Sequence, residues 1–323
     1  MKSFLFVFLI VVVSTAFLNA QNINLTGSVK DEKGNALHFV FIADYQSKTA
    51  TFSDSLGNFT IAVRSASKLQ FESEGYQTVV IDMEQNKGNV DVVLKATGAA
   101  VSGNSSSGRL TETQNINYND LATIGTGGIV APAHQKGKLH GNQYLFDTFV
   151  YGFIINSAGE LVYNSSYLFD YDKIGGGLLL TKDKRIIEQI DRNQTTSFTL
   201  YNNKDERFVF ENAPAVDNKL YAQILATGKK YKIYKLIKTT FIKSDYVTNG
   251  LTSHGNDYDE YVDDADYFVY DVQANKAQKC SLRKKSLKTA FAAEADKINK
   301  FLSENSSDID DAYLAKLGDY MNQ

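Results

Sequence analysis

Residues 51–63 read TFSDSLGNFTIAV, a turn followed directly by a strand. Asp54, Gly57 and Asn58 are residue types that bond back to their own backbone or accept a left-handed conformation. Phe59, Ile61 and Val63 then alternate with Thr60, Ala62 and Arg64, the period of a half-buried strand. The flanking chain repeats this grammar. Leu25, Gly27 and Val29 alternate with Thr26, Ser28 and Lys30 before the turn residues DEKGN at 31–35. Phe39, Phe41, Ala43 and Tyr45 alternate with His38, Val40, Ile42 and Asp44, and short apolar runs recur at 69–72, 77–81 and 90–94. Short strands with turns at this spacing predict a β-sandwich over residues 21–95.

The segments LTGSVKDEKGNAL, SDSLGNFTI, LQFESEGYQTVVI and VDVVLK resemble the carboxypeptidase regulatory-like domain, a small transthyretin-like sandwich, across residues 23–95. The resemblance implies an accessory or interaction module of the kind found in envelope proteins of diderm bacteria. It carries over no active-site residue.

The N-terminus has the form of a secretory signal at 1–20: Lys2, an apolar run over 4–13, then Ser14, Thr15, Ala16 and a small residue, Ala20, before Gln21. The expectation is export to the periplasm, to the outer-membrane surface or out of the cell. The apolar run is shorter than the ~20 residues a spanning helix needs, so no transmembrane segment is expected in the mature chain. With one cysteine, Cys280, there is no internal disulfide, and 34 basic against 37 acidic side chains give no basic excess for nucleic acid. Two prolines, no tryptophan, 19 tyrosines and 20 phenylalanines weigh toward sheet.

Residues 96–143 begin with a stretch rich in Gly, Ser, Asn and Thr that reads as a flexible linker, followed by an irregular segment. From 144 to 323 short apolar runs separated by Gly, Asn, Asp and Lys predict a larger antiparallel β-rich domain. At Ser286 the period becomes helical. Leu287, Phe291, Ile298 and Leu302 form one stripe over 284–303. Ile309, Tyr313, Leu317 and Tyr320 form another, with Ser307 as its N-cap, so an α-helical hairpin closes the chain. The fold class is therefore mainly β: an N-terminal β-sandwich, a linker, and a larger β-rich domain ending in helices.

The densest chemistry is residues 256–266, NDYDEYVDDAD, which carry six carboxylates. Asp257, Asp259 and Asp263 form a candidate calcium site, but the spacing departs from the EF-hand pattern, and a solvated acidic loop leading into a strand at Tyr267 accounts for the same residues. His134 and His140 in HQKGKLH are interleaved with lysines that repel a metal, which favours a surface loop. His38, His134, His140 and His254 are followed three residues on by Phe41, Gly137, Gln143 and Asp257, so HExxH is absent. Ser107 stands where a GxSxG elbow needs its last glycine, and the glycines at 125–128 lack a following Gly-Lys-Ser/Thr. No cofactor is expected. The tyrosines of the second domain offer an aromatic surface for sugar or protein, or simply cross-strand packing. These observations predict a non-enzymatic envelope protein acting through protein contacts, with a calcium- or glycan-binding module as the alternative.

Overall fold

A computed structural model describes residues 23–64, 67–83, 89–97, 121, 126–129 and 138–323. The signal-like segment, most of the Gly/Ser-rich linker and His134 lie outside the described residues.

Strands β1 (Ile23–Asp31), β2 (Phe41–Asp44), β3 (Thr49–Phe52), β4 (Asn58–Val63), β5 (Lys68–Glu72), β6 (Val79–Asp82) and β7 (Val90–Leu94) build the sandwich. A 3-stranded sheet β4-β1-β7 faces a 4-stranded sheet β3-β2-β5-β6 across a core that includes Leu25, Val29, Ile42, Phe59, Ile61, Leu69 and Phe71. The turn into β4 forms as its residue types require. Asp54 Oδ1 accepts the amides of Leu56 and Asn58 at 2.9 and 2.8 Å, and Gly57 takes a φ of +79°. Gly27 sits on the inward face of β1, where a Cβ would lie 2.2 Å from the Val90 carbonyl oxygen and 2.4 Å from the Phe59 ring.

Strands β8 (Thr126–Ile129), β9 (Leu139–His140), β10 (Tyr151–Asn156), β11 (Leu161–Val162), β12 (Leu168–Tyr171), β13 (Leu178–Thr181) and β14 (Glu188–Ile190) open the second module. Next come β15 (Thr195–Tyr201), β16 (Arg207–Glu211), β17 (Ala222–Thr227), β18 (Tyr231–Ile242), β19 (Val247–Thr248), β20 (Ser253–His254), β21 (Asp259–Asp271) and β22 (Lys276–Cys280). A 9-stranded sheet runs β11-β10-β15-β16-β17-β18-β21-β22, with β9 beside β21, and a 4-stranded sheet runs β12-β13-β14-β8. Thus β8 and β9, from the segment read as irregular, enter the sheets of the second module. The two sheets close on Ile154, Phe169, Tyr171, Leu180, Phe198, Leu200, Phe210 and Tyr221. Helices α1 (Lys284–Ala290), α2 (Ala295–Glu304) and α3 (Asp311–Asn322) cover the β17–β22 end through Ile233, Val269, Leu287, Phe291, Phe301, Leu314 and Leu317.

The helical region differs from a simple hairpin. The stripe residues Leu287, Phe291, Ile298 and Leu302 are all buried, but Phe291 leaves the helical conformation and a short 3-10 turn over Ala292–Glu294 separates α1 from α2. The N-cap of α3 is Asp310, whose carboxylate accepts the Tyr313 amide at 2.8 Å, rather than Ser307. A carboxylate at that position also meets the positive end of the helix dipole. Gly318 lets α3 approach β17, since a Cβ there would lie 2.2 Å from the Ala226 Cβ.

The two modules are packed against each other. In β10, Ile154 faces the 4-stranded sheet while Phe153 and Tyr151 point to the opposite face. In β2, Ile42 lies in the sandwich core while Phe41 and Ala43 point outward. Phe41, Ala43, Ala50 and Phe52 meet Phe153, Leu161, Tyr163 and Tyr201 to form one further core, so every residue of β2 is buried. The sequence reads as two modules joined by a tether; the structure adds an aromatic seam between them.

Candidate functional site at the seam between the modules

Rings dominate the seam. Phe41 stacks on Tyr163 with centroids 3.7 Å apart and 18° between planes, and Phe52 meets Tyr201 edge to face at 5.1 Å. Such pairs contribute about 0.5–1.5 kcal/mol each beyond the area they bury.

A polar latch flanks the rings. Several hairpin loops here share one pattern: Asp or Asn accepts amides two and four residues on, and the fourth residue is left-handed. Asp31 with Gly34 and Asp54 with Gly57 are two instances. In the loop NNKDE, Asn202 accepts the amides of Lys204 and Glu206 at 2.9 and 3.0 Å, and Asp205 stands where the others carry glycine, at φ +62°. A non-glycine residue there carries backbone strain. Its side chain explains the choice: Oδ1 lies 2.6 Å from His38 Nε2 and Oδ2 accepts the Ser55 amide at 3.2 Å, both in the sandwich. Phe39, beside His38, is also left-handed at φ +55° and packs on Tyr151 at 4.7 Å.

A cleft of about 320 Å³ opens along this seam, lined by His38, Phe39, Ser73, Glu74, Gly75, Tyr151, Tyr163 and Ser165. Tyr163 is 9% exposed, and its hydroxyl is buried with no hydrogen-bond partner among the described residues. Burial, then Glu72, Tyr151 and Glu74, holds this phenol far above its ordinary value, so it stays protonated. Among the described residues, His38 is bonded to Asp205, and no hydrogen bond links it to Ser73 or Ser165. The residues of this cleft are scattered along the chain, and the one local signal for it is apolar character on both faces at Phe41, Ile42 and Ala43, which marks a strand covered on both sides.

The acidic segment is strand rather than loop. From Asp259 it belongs to β21, paired in register with β18 from Ile242↔Glu260 to Tyr231↔Asp271. Cross-strand and loop contacts supply the order that a row of carboxylates would otherwise resist. Asp257 pairs with Lys138 Nζ at 2.6 Å, and that ammonium holds its carboxyl below the ordinary value. Asp259 Oδ1 accepts the Ser244 amide at 2.8 Å. Asp263 binds the buried Lys173 ammonium at 2.9 and 2.6 Å and accepts from Thr239. Asp259 and Asp263 are thus four residues apart on an extended strand, a separation of about 13 Å. A calcium ion needs its oxygens at about 2.3–2.6 Å, so one ion cannot take both. Among the described residues no group of three His, Cys, Asp or Glu side chains could hold a metal ion. His140 sits in β9, stacked on Tyr258 at 3.9 Å.

Of the second-module tyrosines, Tyr163, Tyr167, Tyr171, Tyr201, Tyr221, Tyr231, Tyr234 and Tyr267 are buried, Tyr163 and Tyr201 in the seam and the others within the second module. Tyr171, for example, accepts the Tyr221 amide at 3.0 Å while Arg192 lies over the Tyr221 ring at 4.3 Å. Exposed apolar groups gather elsewhere. β17 pairs with β18 only as far as Lys235, and β22 pairs with β21 only from Tyr267, so the two long strands continue past the sheet as a ribbon. Its far end exposes Phe241, Ile242, Tyr246, Val247, Leu251 and Val262, with Leu251 95% exposed. No helix among the described residues is long and apolar enough to cross a membrane.

No protein-family model matches the chain, and no curated protein matches it.

Proposed function

We propose that this chain is an exported, non-enzymatic protein of the bacterial cell envelope that acts by binding another envelope protein through the β18–β21 ribbon. The carrying observation is the ribbon itself: its end places Phe241, Ile242, Val247 and Leu251 in solvent. Clustered exposed apolar groups of this kind mark interaction sites. Between Leu236 and Ile242 of β18 and between Tyr261 and Asp266 of β21, the outer edges have no strand partner among the described residues. An extended segment of a partner protein can add to such an edge, with backbone hydrogen bonds giving affinity and the apolar side chains giving selectivity. Asp245, Asp257, Asp259 and Glu260 near the ribbon's end disfavour an anionic lipid surface as the occupant. The export signal at 1–20 and the resemblance of 23–95 to a carboxypeptidase regulatory-like module support the envelope setting.

A photo-crosslinking residue at Leu251 or Val247, in intact cells, tests this reading. It predicts one discrete protein adduct in the envelope fraction, lost when Phe241 and Ile242 are both changed to Asp. Adducts of many sizes, or an adduct that survives those changes, would sink it. Deleting residues 21–95 is a poor test, because it exposes Phe153, Tyr163 and Tyr201.

A further inference from the structure

We propose that Asn249 and Gly250, at the tip of the β18–β21 ribbon, form a self-modification site. The asparagine side chain closes on the next peptide nitrogen, and water opens the ring to aspartate or isoaspartate. The chemistry is independent of what the ribbon binds; only its consequence for a partner rests on that reading.

These two residues are the one Asn-Gly pair in the chain. Both are exposed, in the turn between β19 and β20, whose short ladder pairs Val247 with His254 and Thr248 with Ser253. Gly250 has no side chain to hinder the approach of its nitrogen. Nothing else lies within 4 Å of where a Cβ would stand, so the ring has room to close.

The turn holds the reacting groups together. Asn249 Oδ1 accepts the amides of Leu251 and Thr252 at 3.0 and 2.8 Å and the Thr252 hydroxyl at 3.2 Å. These bonds make an Asx turn, which folds the side-chain amide back over the following peptide. Three donors on one carbonyl oxygen draw electrons from Cγ and face the charge that develops on that oxygen as a nucleophile adds. The attacking amide is anchored as well, since Gly250 N–H donates to Thr248 Oγ1 at 3.2 Å. Reactants held in one turn avoid the entropy cost of being brought together.

The steps balance with water as the one co-reactant. Gly250 N gives its proton to solvent and its electron pair forms a bond to Asn249 Cγ. The Cγ–Nδ2 bond breaks and ammonia leaves, which closes a succinimide. Water then cleaves one of the two ring C–N bonds. Cleavage at Cγ leaves an ordinary aspartate, and cleavage at the backbone carbonyl routes the chain through Cβ as isoaspartate. The aspartate keeps an acceptor for the turn amides but sets a negative charge beside exposed Val247 and Leu251. The isoaspartate lengthens the backbone by one carbon and disturbs the β19–β20 register.

The test holds the full mature chain at pH 8, samples it over days, digests with trypsin and subtracts the zero-time sample. Cleavage after Lys243 and Lys276 yields one peptide carrying Asn249, Asn256 and Asn275, so two other asparagines serve as internal standards. The mass gain of an amide-to-carboxyl exchange, located by electron-transfer fragmentation, is expected at Asn249 as both products, about tenfold faster than at Asn256 or Asn275. Thr252→Val removes one donor while keeping the shape, and should slow conversion about threefold or more. Asn249→Asp carries the product's charge and should reduce the protein adduct formed from a photo-crosslinker at Val247 several-fold. Equal rates at the three asparagines, or conversion as fast in Thr252→Val, would overturn the proposal whatever the ribbon binds. A mass gain at Asn249 with an adduct unaffected by Asn249→Asp would overturn its bearing on the partner alone.

Discussion

Phe41 of the sandwich and Tyr163 of the second module stack face to face, 3.7 Å between centroids, and so belong to one core although 122 positions separate them in the chain. The pair joins two sheets whose other faces have cores of their own. A double-mutant cycle measures it. Phe41→Ala alone should cost about 3–5 kcal/mol of stability. Combined with Tyr163→Ala, denaturant unfolding should show a coupling of about 0.5–1.5 kcal/mol, whereas strict additivity would mean that the rings do not pack.

Asp205 accepts left-handed strain to reach His38 and the Ser55 amide. Asp205→Gly should relieve the strain and leave the Asn202 loop intact, because Asn202 still accepts the amides of Lys204 and Glu206. Hydrogen exchange at the Ser55 amide should rise about tenfold while the Glu206 amide is unchanged. Unaltered exchange at Ser55 would remove the latch.

Asp170 is 3% exposed, and burial pushes its carboxyl up to about 7 despite the amides of Tyr171 and Phe146 and the nearby Lys173, which pull it down. Its folded value lies above its unfolded value, so the unfolded state loses the proton first. The stability from this group is complete below about pH 4 and is lost as pH rises through 7, by up to about 4 kcal/mol. Wild type minus Asp170→Asn, measured by urea unfolding from pH 4 to pH 8, should show that decline. A flat difference would contradict it.

Lys173 is buried and Asp263 is its ion-pair partner. Asp263→Ala leaves an ammonium without its counter-charge, and a loss of about 1–3 kcal/mol is expected. Because Asp257, Asp259 and Asp263 bind separate partners, millimolar calcium should not raise the melting temperature of wild type. A rise that Asp263→Ala abolishes would restore a cation site there.

Much of the fold was legible because the local signals agree with the packing. The turn at Asp54 and Gly57, the alternation of Phe59, Ile61 and Val63, and the stripe of Leu287, Phe291, Ile298 and Leu302 all report their own burial. The 257–266 segment misled because strand propensity is low for Asp, while cross-strand partners such as Lys238 with Asp266 at 2.7 Å and Thr239 with Asp263 hold it extended. The α1–α2 break was hidden because Ala292, Ala293 and Ala295 are good helix formers and only tertiary packing of Phe291 interrupts them. The cleft was illegible for a different reason. It is made where residues 38–39, 73–75, 151 and 163–165 converge, and no spacing in the chain encodes that meeting.

The distance between the two modules tests the seam most directly. With buried Cys280 changed to Ala, spin labels at Val93→Cys in the sandwich and Lys276→Cys in β22 report it by pulsed electron resonance. One narrow distance distribution is predicted, broadening when Phe41 and Phe52 are both changed to Ala. A broad distribution in the otherwise unaltered chain would mean two modules that move on a tether, and would contradict the shared core.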